Sequence, residues 1–250
     1  MINREHIKKT FDSYVKNYNL EDPKIYLKYE HTYYVATNCE RIAKTLNLSS
    51  EDIDLAWCLG MFHDIGRFEQ VRRYHTFQDK FSVNHAMLSA DLLFVDGLIN
   101  RFLVHSELDL MEKAIRLHNV YRLPEDLTSR ERLFSDILRD ADKVDILRVN
   151  CYTPREEIYN LPTEEFLTSS MTDEVFLNLM NKEPVNRKYS KTGIDFIMGH
   201  IGFVFDLAFD ESKKIIKEQG YLDQLLNFES QNPQTNERMK KVKELVIASL

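Results

Sequence analysis

The segment AWCLGMFHDIG, residues 56–66, places an apolar helical stretch directly before an adjacent histidine and aspartate. Residues 49–52, SSED, have the composition of a helix start, and Gly66 is expected to end the helix in the left-handed conformation. A charged pair at the end of a buried helix carries a desolvation cost unless it is paired or bound to a metal. His63 and Asp64 are therefore the first candidate metal ligands.

Helix-start signals recur on both sides of this segment. The other predicted helices with start signals are 24–47 after Asp22-Pro23, 83–94 after Ser82, 110–119 after Asp109 with Glu112, and 132–150 after the capping box Thr128-x-x-Glu131. Weaker patterns predict short helices around 163–181, 193–218 and 235–250, a loop over 67–81, and a short hairpin or loop over 183–192. With only 7 Gly and 6 Pro in 250 residues, the sequence predicts an all-α fold.

Composition limits the setting and the partners. Apolar residues make up 43% and charged residues 29%, as in a globular protein, and the net charge of −7 with no strong basic cluster argues against duplex nucleic acid as a partner. Three widely spaced cysteines indicate reduced thiols. The N-terminus lacks a signal core and no run reaches roughly 18 apolar residues, so we expect a cytoplasmic protein without a membrane partner. The oligomeric state stays open, with a homodimer as one option.

Six residues at five places could bind metal from predicted helices or helix ends. They are His31, His63, Asp64, His85, His118 and Asp142. Gaps of 32, 22, 33 and 24 residues place them on separate helices, so they can converge only in a bundle. Imidazole and carboxylate donors suit Fe, Mn, Co, Ni or Zn, with Mg as a further option, and the set could hold one ion or two with a bridging carboxylate.

Most helical histidines are ordinary surface or core residues, and that alternative applies to each candidate taken alone. We expect the remaining histidines to be such surface or core residues; they are His6, His75, His105 and His200. For His85 and His118, the alternative to a second metal site is a pair of hydrogen-bonded core histidines.

The order histidine, histidine–aspartate, aspartate resembles the HD superfamily of metal-dependent phosphohydrolases. The matching positions are His31 in KYEHTYYVA, His63-Asp64 in GMFHDIGR and Asp142 in RDADKVDIL. The resemblance covers about residues 25–150 and implies a bundle of about five helices in which these four residues bind a first metal. It therefore predicts a single HD-type domain, with residues 151–250 as a helical extension packed on its core.

Two further segments resemble the binuclear members of that superfamily. They are Asn84-His85 before AMLSADLL and His118 in AIRLHNVYRLP, and the resemblance implies that both histidines bind a second metal. HD-GYP cyclic dinucleotide phosphodiesterases and HD-type diadenosine tetraphosphate hydrolases share these positions. The chain lacks the GYP segment, which argues against cyclic-di-GMP as a substrate.

Arg67 stands where HD-GYP proteins commonly have lysine and where HD 5′-deoxynucleotidases have a catalytic glutamate. Arginine cannot act as a general acid near neutral pH, but its guanidinium can bind phosphate through two N–H bonds. We therefore predict a phosphate clamp, with an exposed loop arginine as the alternative. Further candidates for substrate binding, each with a solvated surface charge as its alternative, are Arg72, Arg73, Lys80, Arg122 and Lys143. Aromatic side chains that could stack on a base, or fill the core of the loop, are Tyr74, Phe77 and Phe81.

The resemblance implies hydrolysis of a phosphate ester or anhydride of a small metabolite, most simply a nucleotide, through attack by a metal-activated hydroxide. In that reaction Asp64 would bridge the metals and Arg67 would stabilise charge on the phosphoryl oxygens. Two alternatives stay open. The same ligand set resembles that of HD-type di-iron oxygenases, and a non-catalytic HD domain could bind a nucleotide as a signal.

Overall fold

A computed structural model of the protein describes residues 2–250, and these residues form helices with no β-strand. The predicted all-α class is confirmed. The α-helices are α1 (Arg4–Val15), α2 (Pro23–Thr45), α3 (Ser50–Phe62), α4 (Ile65–Tyr74), α5 (His85–Ala90), α6 (Leu108–Leu117), α7 (Ser129–Tyr152), α8 (Arg155–Tyr159), α9 (Thr163–Thr168), α10 (Asp173–Met180), α11 (Gly193–Ile201), α12 (Asp210–Gln219), α13 (Tyr221–Leu226) and α14 (Pro233–Ile247). Shorter 3₁₀ segments are Asp79–Phe81, Leu98–Arg101, Arg187–Tyr189 and Gly202–Asp206, and a π-helical turn covers Asp91–Val95.

The chain divides into two compact units, one ending at Asp142 and the other beginning at Lys143. The division falls inside α7, so this helix contributes to both units. That the chain is a single domain, with its C-terminal extension packed on the core, stays a prediction. No helix within residues 2–250 combines the length and the apolar character that crossing a bilayer requires.

Helix α2 begins where the sequence predicts and lies tightly against α3. The Asp22 side chain accepts a hydrogen bond of 2.8 Å from the backbone N–H of Lys24, and proline occupies the first helical turn. In α3, Gly60 permits the close approach, because a Cβ atom there would lie 2.4 Å from the Ala36 Cα. This contact holds the two helices that carry the first histidines of the site side by side.

The segment after the histidine–aspartate pair differs from the prediction. Most of residues 67–81, predicted as a loop, belongs to α4, and the predicted cap residue Gly66 lies inside that helix. The Gly66 backbone N–H donates to the Ser89 hydroxyl at 2.9 Å, and a Cβ atom on Gly66 would lie 2.6 Å from the Ser89 nitrogen. This glycine therefore allows α4 to approach α5, a long-range requirement that a local sequence pattern does not show.

The starts of the next three helices are partly as predicted. Asn84, rather than Ser82, caps α5, and its side chain accepts from two backbone N–H groups of the first turn. The residue before α6 makes no side-chain cap, so the capping box predicted from Asp109 and Glu112 is wrong. The box ahead of α7 is confirmed, because Thr128 and Glu131 exchange side chain-to-backbone hydrogen bonds of 2.8 and 3.2 Å.

The C-terminal unit has its own buried core and polar anchors. Asp195 in α11 is fully buried, and its carboxylate accepts hydrogen bonds of 2.9–3.1 Å from the backbone N–H groups of Thr172, Lys191 and Thr192. These bonds satisfy N–H groups at the starts of α10 and α11. Residues 183–192 contain a 3₁₀ turn and no strand.

Candidate metal centre

All six predicted ligands lie together in the N-terminal unit, in two groups of three. Within each group, one ligand atom from every residue lies within 4.8 Å of the others; the groups are His31, His63 and Asp142, and Asp64, His85 and His118. Five of the six residues are buried, and the Asp142 side chain is 14% exposed. Each residue comes from a different helix or helix end, so the packing of the N-terminal helices creates both groups.

The first group surrounds a common point with imidazole nitrogens and carboxylate oxygens. The Nε2 atom of His31 lies 3.0 Å from Oδ1 of Asp142 and 3.3 Å from Nε2 of His63, which is itself 3.7 Å from that oxygen. Oδ2 of Asp64 is 3.6 and 3.5 Å from the two histidine nitrogens. These four residues, two imidazoles and two carboxylates, could therefore share one ion.

The second group uses the other oxygen of the same aspartate. Nε2 of His85 is 3.1 Å from Nε2 of His118, and Oδ1 of Asp64 lies 3.7 and 3.8 Å from these two nitrogens. This buried oxygen has no hydrogen-bond partner among residues 2–250. A buried carboxylate oxygen without a donor is costly, and a cation between Asp64 and the two imidazoles would satisfy it. The residues present thus fit a divalent metal on each side of Asp64.

Hydrogen bonds on the outer ring nitrogens orient three of the histidines. Nδ1 of His63 and Nδ1 of His118 each donate to a backbone carbonyl three residues earlier, at 2.8 Å. Nδ1 of His85 lies 2.6 Å from Oδ2 of Asp79. Because a proton on Nδ1 leaves the Nε2 lone pair free, these partners aim the metal-binding atoms into the centre.

Asp79 also joins the second group to a network that sequence analysis missed. Its Oδ2 accepts from Asn119 at 3.3 Å, and its Oδ1 accepts from Gln70 at 3.0 Å and from Arg67 at 3.2 Å. The Gln70 amide donates in addition to the Val83 carbonyl at 3.0 Å. One carboxylate therefore fixes both a candidate metal ligand and a candidate substrate-binding cation. No local pattern marks Asp79, which lies in the segment predicted as a loop.

Burial and charge set the protonation states that metal binding needs. Burial lowers the pKa of His85 to about 4 and that of His118 to about 3, so both imidazoles are neutral at neutral pH. Burial opposes ionisation of the two aspartates, but neighbouring groups outweigh it. Lys28, followed by His63 and Arg67, holds the pKa of Asp64 well below its usual range, and His31 and His63 do the same for Asp142. Neutral imidazoles and ionised carboxylates are the metal-binding forms.

Two buried cations lie beside Asp64. Arg67 is 9% exposed, so it is not an exposed loop residue, and its Nη1 donates to Gln70 Oε1 at 2.6 Å and to the Phe77 carbonyl at 2.7 Å. Its Nε lies 3.6 Å from Asp64 Oδ1 and has no hydrogen-bond partner among the described residues. Lys28, which sequence analysis missed, donates to Asp64 Oδ2 at 2.6 Å. The available signal was its position three residues before His31 on the same face of α2.

The other predicted substrate-binding residues make contacts elsewhere. Arg72 and Arg73 are more than half exposed and pair with Glu69, while Lys80 and Arg122 are exposed beside neighbouring aromatic rings. In the C-terminal unit, the Lys143 ammonium donates to the carboxylate and the carbonyl of Asp206 at 2.6 and 2.7 Å. Their role in substrate binding stays a prediction.

The aromatic candidates separate into two kinds. The Phe77 ring is half-buried, with its centroid 5.4 Å from Lys28 Nζ and 5.5 Å from Arg67 Cζ. Tyr74 and Phe81 are 41% and 67% exposed, so they do not fill a loop core. Stacking on a base thus stays a prediction.

The remaining histidines make contacts apart from both ligand groups. His6 hydrogen-bonds the Arg101 carbonyl, His105 accepts from the Glu107 N–H, His200 contacts Asn150 and Tyr159, and His75 is exposed.

Comparison with protein families agrees with this geometry. Residues 29–147 match the family model of the HD domain, the range that contains all six candidate ligands. This match identifies residues 29–147 as an HD domain. The HD superfamily comprises metal-dependent hydrolases; HD domains bind divalent metals, and some are non-catalytic. Searches of curated proteins and of solved structures gave no significant match.

Proposed function

We propose that the protein is a metal-dependent phosphohydrolase that cleaves a phosphate ester or anhydride of a small metabolite, with a nucleotide as the first candidate. The observation that carries the proposal is the position of Asp64. Its carboxylate lies between two groups of ligand atoms, and two buried cations, Lys28 and Arg67, lie against it. Such a centre combines metal binding with an environment suited to an anionic substrate.

The proposal places one ion on each side of Asp64. One would be held by His31, His63, Asp142 and Oδ2 of Asp64, and the other by His85, His118 and Oδ1 of Asp64. The mixed nitrogen and oxygen donors favour Mn, Fe, Co, Ni or Zn over Mg. When bound, such ions supply an activated water as nucleophile and neutralise charge on the phosphoryl oxygens.

The chain itself contributes orientation and positive charge. The hydrogen bonds of Arg67 Nη1 fix its guanidinium, and its unpartnered Nε faces the centre, where it can donate to a phosphoryl oxygen. Asp79 holds both Arg67 and His85, so substrate contact and metal ligand keep a constant separation. Burial lowers the local dielectric constant and strengthens each of these interactions. The exposed rings of Tyr74 and Phe81 offer stacking surfaces for a nucleobase.

The test is turnover by the full-length protein after metal removal and reloading with Mn, Fe, Co, Ni, Zn or Mg in turn. A panel of phosphate esters and anhydrides, including nucleotides, supplies substrates. We expect metal-dependent phosphate release that falls by at least roughly 100-fold in Asp64→Asn, since a ligand contributes at least as much as the groups that support it. Asp136→Asn is the matched control, because this residue pairs with Arg132 on the surface of α7.

Two results would contradict the proposal, and each would identify a different function. Oxygen uptake by the iron-loaded protein, without phosphate release from any substrate, would identify an oxygenase. Tight nucleotide binding that survives Asp64→Ala, with no turnover by the wild type, would identify a regulatory domain.

A further inference from the structure

Lys28 is a buried cation that the ligand set alone does not require. It is 8% exposed and lies on α2, one helical turn before His31. Its ammonium group donates to Oδ2 of Asp64 at 2.6 Å. Burying an ammonium group is costly unless it is paired, so Lys28 does not act as a solvated surface charge.

Lys28 and Arg67 lie on opposite oxygens of one carboxylate. Lys28 contacts Oδ2, the oxygen nearest His31 and His63, whereas the Arg67 Nε lies 3.6 Å from Oδ1, the oxygen nearest the second group. Both cationic groups lie within 5.5 Å of the Phe77 ring centroid. Each half of the candidate metal centre therefore has one cation beside it.

Both cations keep donors that the described residues do not use. Asp64 is the only hydrogen-bond acceptor of the Lys28 ammonium within residues 2–250, and an ammonium group has three N–H bonds. The buried Nε of Arg67 has no hydrogen-bond partner within the same residues. Unused cationic donors on either side of a metal-binding carboxylate point to an anion that bridges them.

The charges near Asp64 indicate what kind of anion. Three carboxylates, those of Asp64, Asp79 and Asp142, lie at the two ligand groups. Lys28 pairs with the first and Arg67 with the second, so the formal charges leave an excess of one negative charge. Two divalent ions would turn the small negative excess into three positive charges. A terminal phosphate is a dianion near pH 7 because its second pKa is about 6, and with a hydroxide it matches that charge better than a singly charged phosphodiester does.

We propose that Lys28 is a phosphate-binding residue which, together with Arg67, selects substrates that carry a terminal, dianionic phosphate group. This inference rests on the proposed function and names its substrate class. The substrate is then a phosphomonoester, or an anhydride with a terminal phosphate, rather than a phosphodiester.

The experiment measures binding of inorganic phosphate to the full-length, metal-loaded protein by isothermal titration calorimetry. We expect Lys28→Met to weaken phosphate binding by about 10- to 100-fold, the loss of one charge-assisted hydrogen bond, while Lys28→Arg retains part of it. Lys44→Met is the matched control, because this lysine is 60% exposed on the same helix, about 24 Å away along the axis. Elemental analysis of every variant establishes whether its metal content is unchanged.

A second measurement tests the selectivity. The ratio of kcat/KM for a phosphomonoester to that for a matched methyl diester should fall in Lys28→Met and stay constant in Lys44→Met. Unchanged phosphate affinity and an unchanged ratio would overturn the inference and leave Lys28 as the counter-ion of Asp64. Loss of metal from Lys28→Met and Lys28→Arg alike would also overturn it, because the lysine would then support the ligands.

The outcome separates this inference from the proposed function. If the wild type hydrolyses phosphate esters and Lys28→Met keeps both affinity and selectivity, only the inference fails. If the wild type binds phosphate through Lys28 but releases none from any substrate, the proposed function fails while the anion site remains.

Discussion

Replacement of Asp79 by asparagine should weaken one metal position and spare the other. Oδ2 of Asp79 faces Nδ1 of His85 at 2.6 Å, and Oδ1 accepts from Gln70 and Arg67. An asparagine offers one acceptor and one donor, so either His85 or the Arg67–Gln70 pair must face an N–H group. The substitution therefore removes a hydrogen bond that orients either His85 or Arg67.

The size of the effect follows from the partners. Hydrogen bonds to charged groups contribute about 1.5–3 kcal/mol, and the 21% exposure of the Asp79 side chain places the expected loss of stability near the lower end. Loss of a carboxylate behind a metal-bound histidine typically costs about 10- to 100-fold in metal affinity. Proton competition adds nothing at neutral pH, because burial already lowers the pKa of His85 to about 4.

Titration of the metal-free protein with Mn²⁺ or Co²⁺ by calorimetry is the assay. Wild type should show two sites, and Asp79→Asn should show one site of unchanged affinity, that of His31, His63 and Asp142, and one weakened about 10- to 100-fold. Asp136→Asn should behave as wild type. Two sites of wild-type affinity in a folded Asp79→Asn protein would refute the idea that this carboxylate positions His85.

Three further experiments test the protonation of His85, the packing of α2 against α3 and the role of Arg67. The unfolding free energy of the metal-free protein, measured with urea, should fall as the pH is lowered from about 6.5 to 4, because the unfolded state then binds protons that the depressed pKa values of folded His85 and His118 exclude. His85→Gln should make this dependence less steep, and an equally steep profile in that variant would exclude His85 as a source. Gly60→Ala should lower the free energy of unfolding in urea by about 1–3 kcal/mol, because the added Cβ would lie 2.4 Å from the backbone of α2. Gly199→Ala, whose Cβ would have its nearest neighbour at 4.0 Å, should be neutral or stabilising, and equal effects of the two substitutions would argue against the close approach of α2 and α3. Arg67→Lys should lower kcat/KM by roughly 10-fold or more, because lysine cannot reproduce the fixed guanidinium fork, while Arg132→Lys, at an exposed residue paired with Asp136, should leave kcat/KM unchanged. A fully active Arg67→Lys protein would exclude the proposed contact between Arg67 and the substrate.

Local signals predicted much of the fold and long-range contacts explain the errors. The caps at Asp22 and Thr128 were predictable because their partners lie within three residues. Gly66 was misassigned because its function depends on Ser89, which packs against it only when α4 and α5 meet. The charged segment after Gly66 forms a helix because tertiary partners bury Arg67 and Gln70 there.

The same distinction applies to the site. The six candidate ligands could be proposed because histidines and aspartates within helices and at helix ends form a recognisable order along the chain. Asp79 could not be proposed, because an aspartate in a predicted loop has no pattern, and the only signal for Lys28 was its position on the same face of α2 as His31. The Lys28–Asp64 pair spans 36 residues, and it forms only when α2 and α3 pack together. The sequence therefore predicted the candidate metal ligands better than the residues that surround them.

In the proposed function, Asp64 would bind one ion with each carboxylate oxygen, and imidazoles from separate helices would complete both sites. Anomalous X-ray diffraction from crystals of the Mn²⁺-loaded protein tests it most directly. We expect two manganese peaks about 3.5–4 Å apart, one beside His31 and His63 and one beside His85 and His118, with an Asp64 oxygen next to each. A single peak in the first group, with His85 and His118 bonded only to protein, would contradict it.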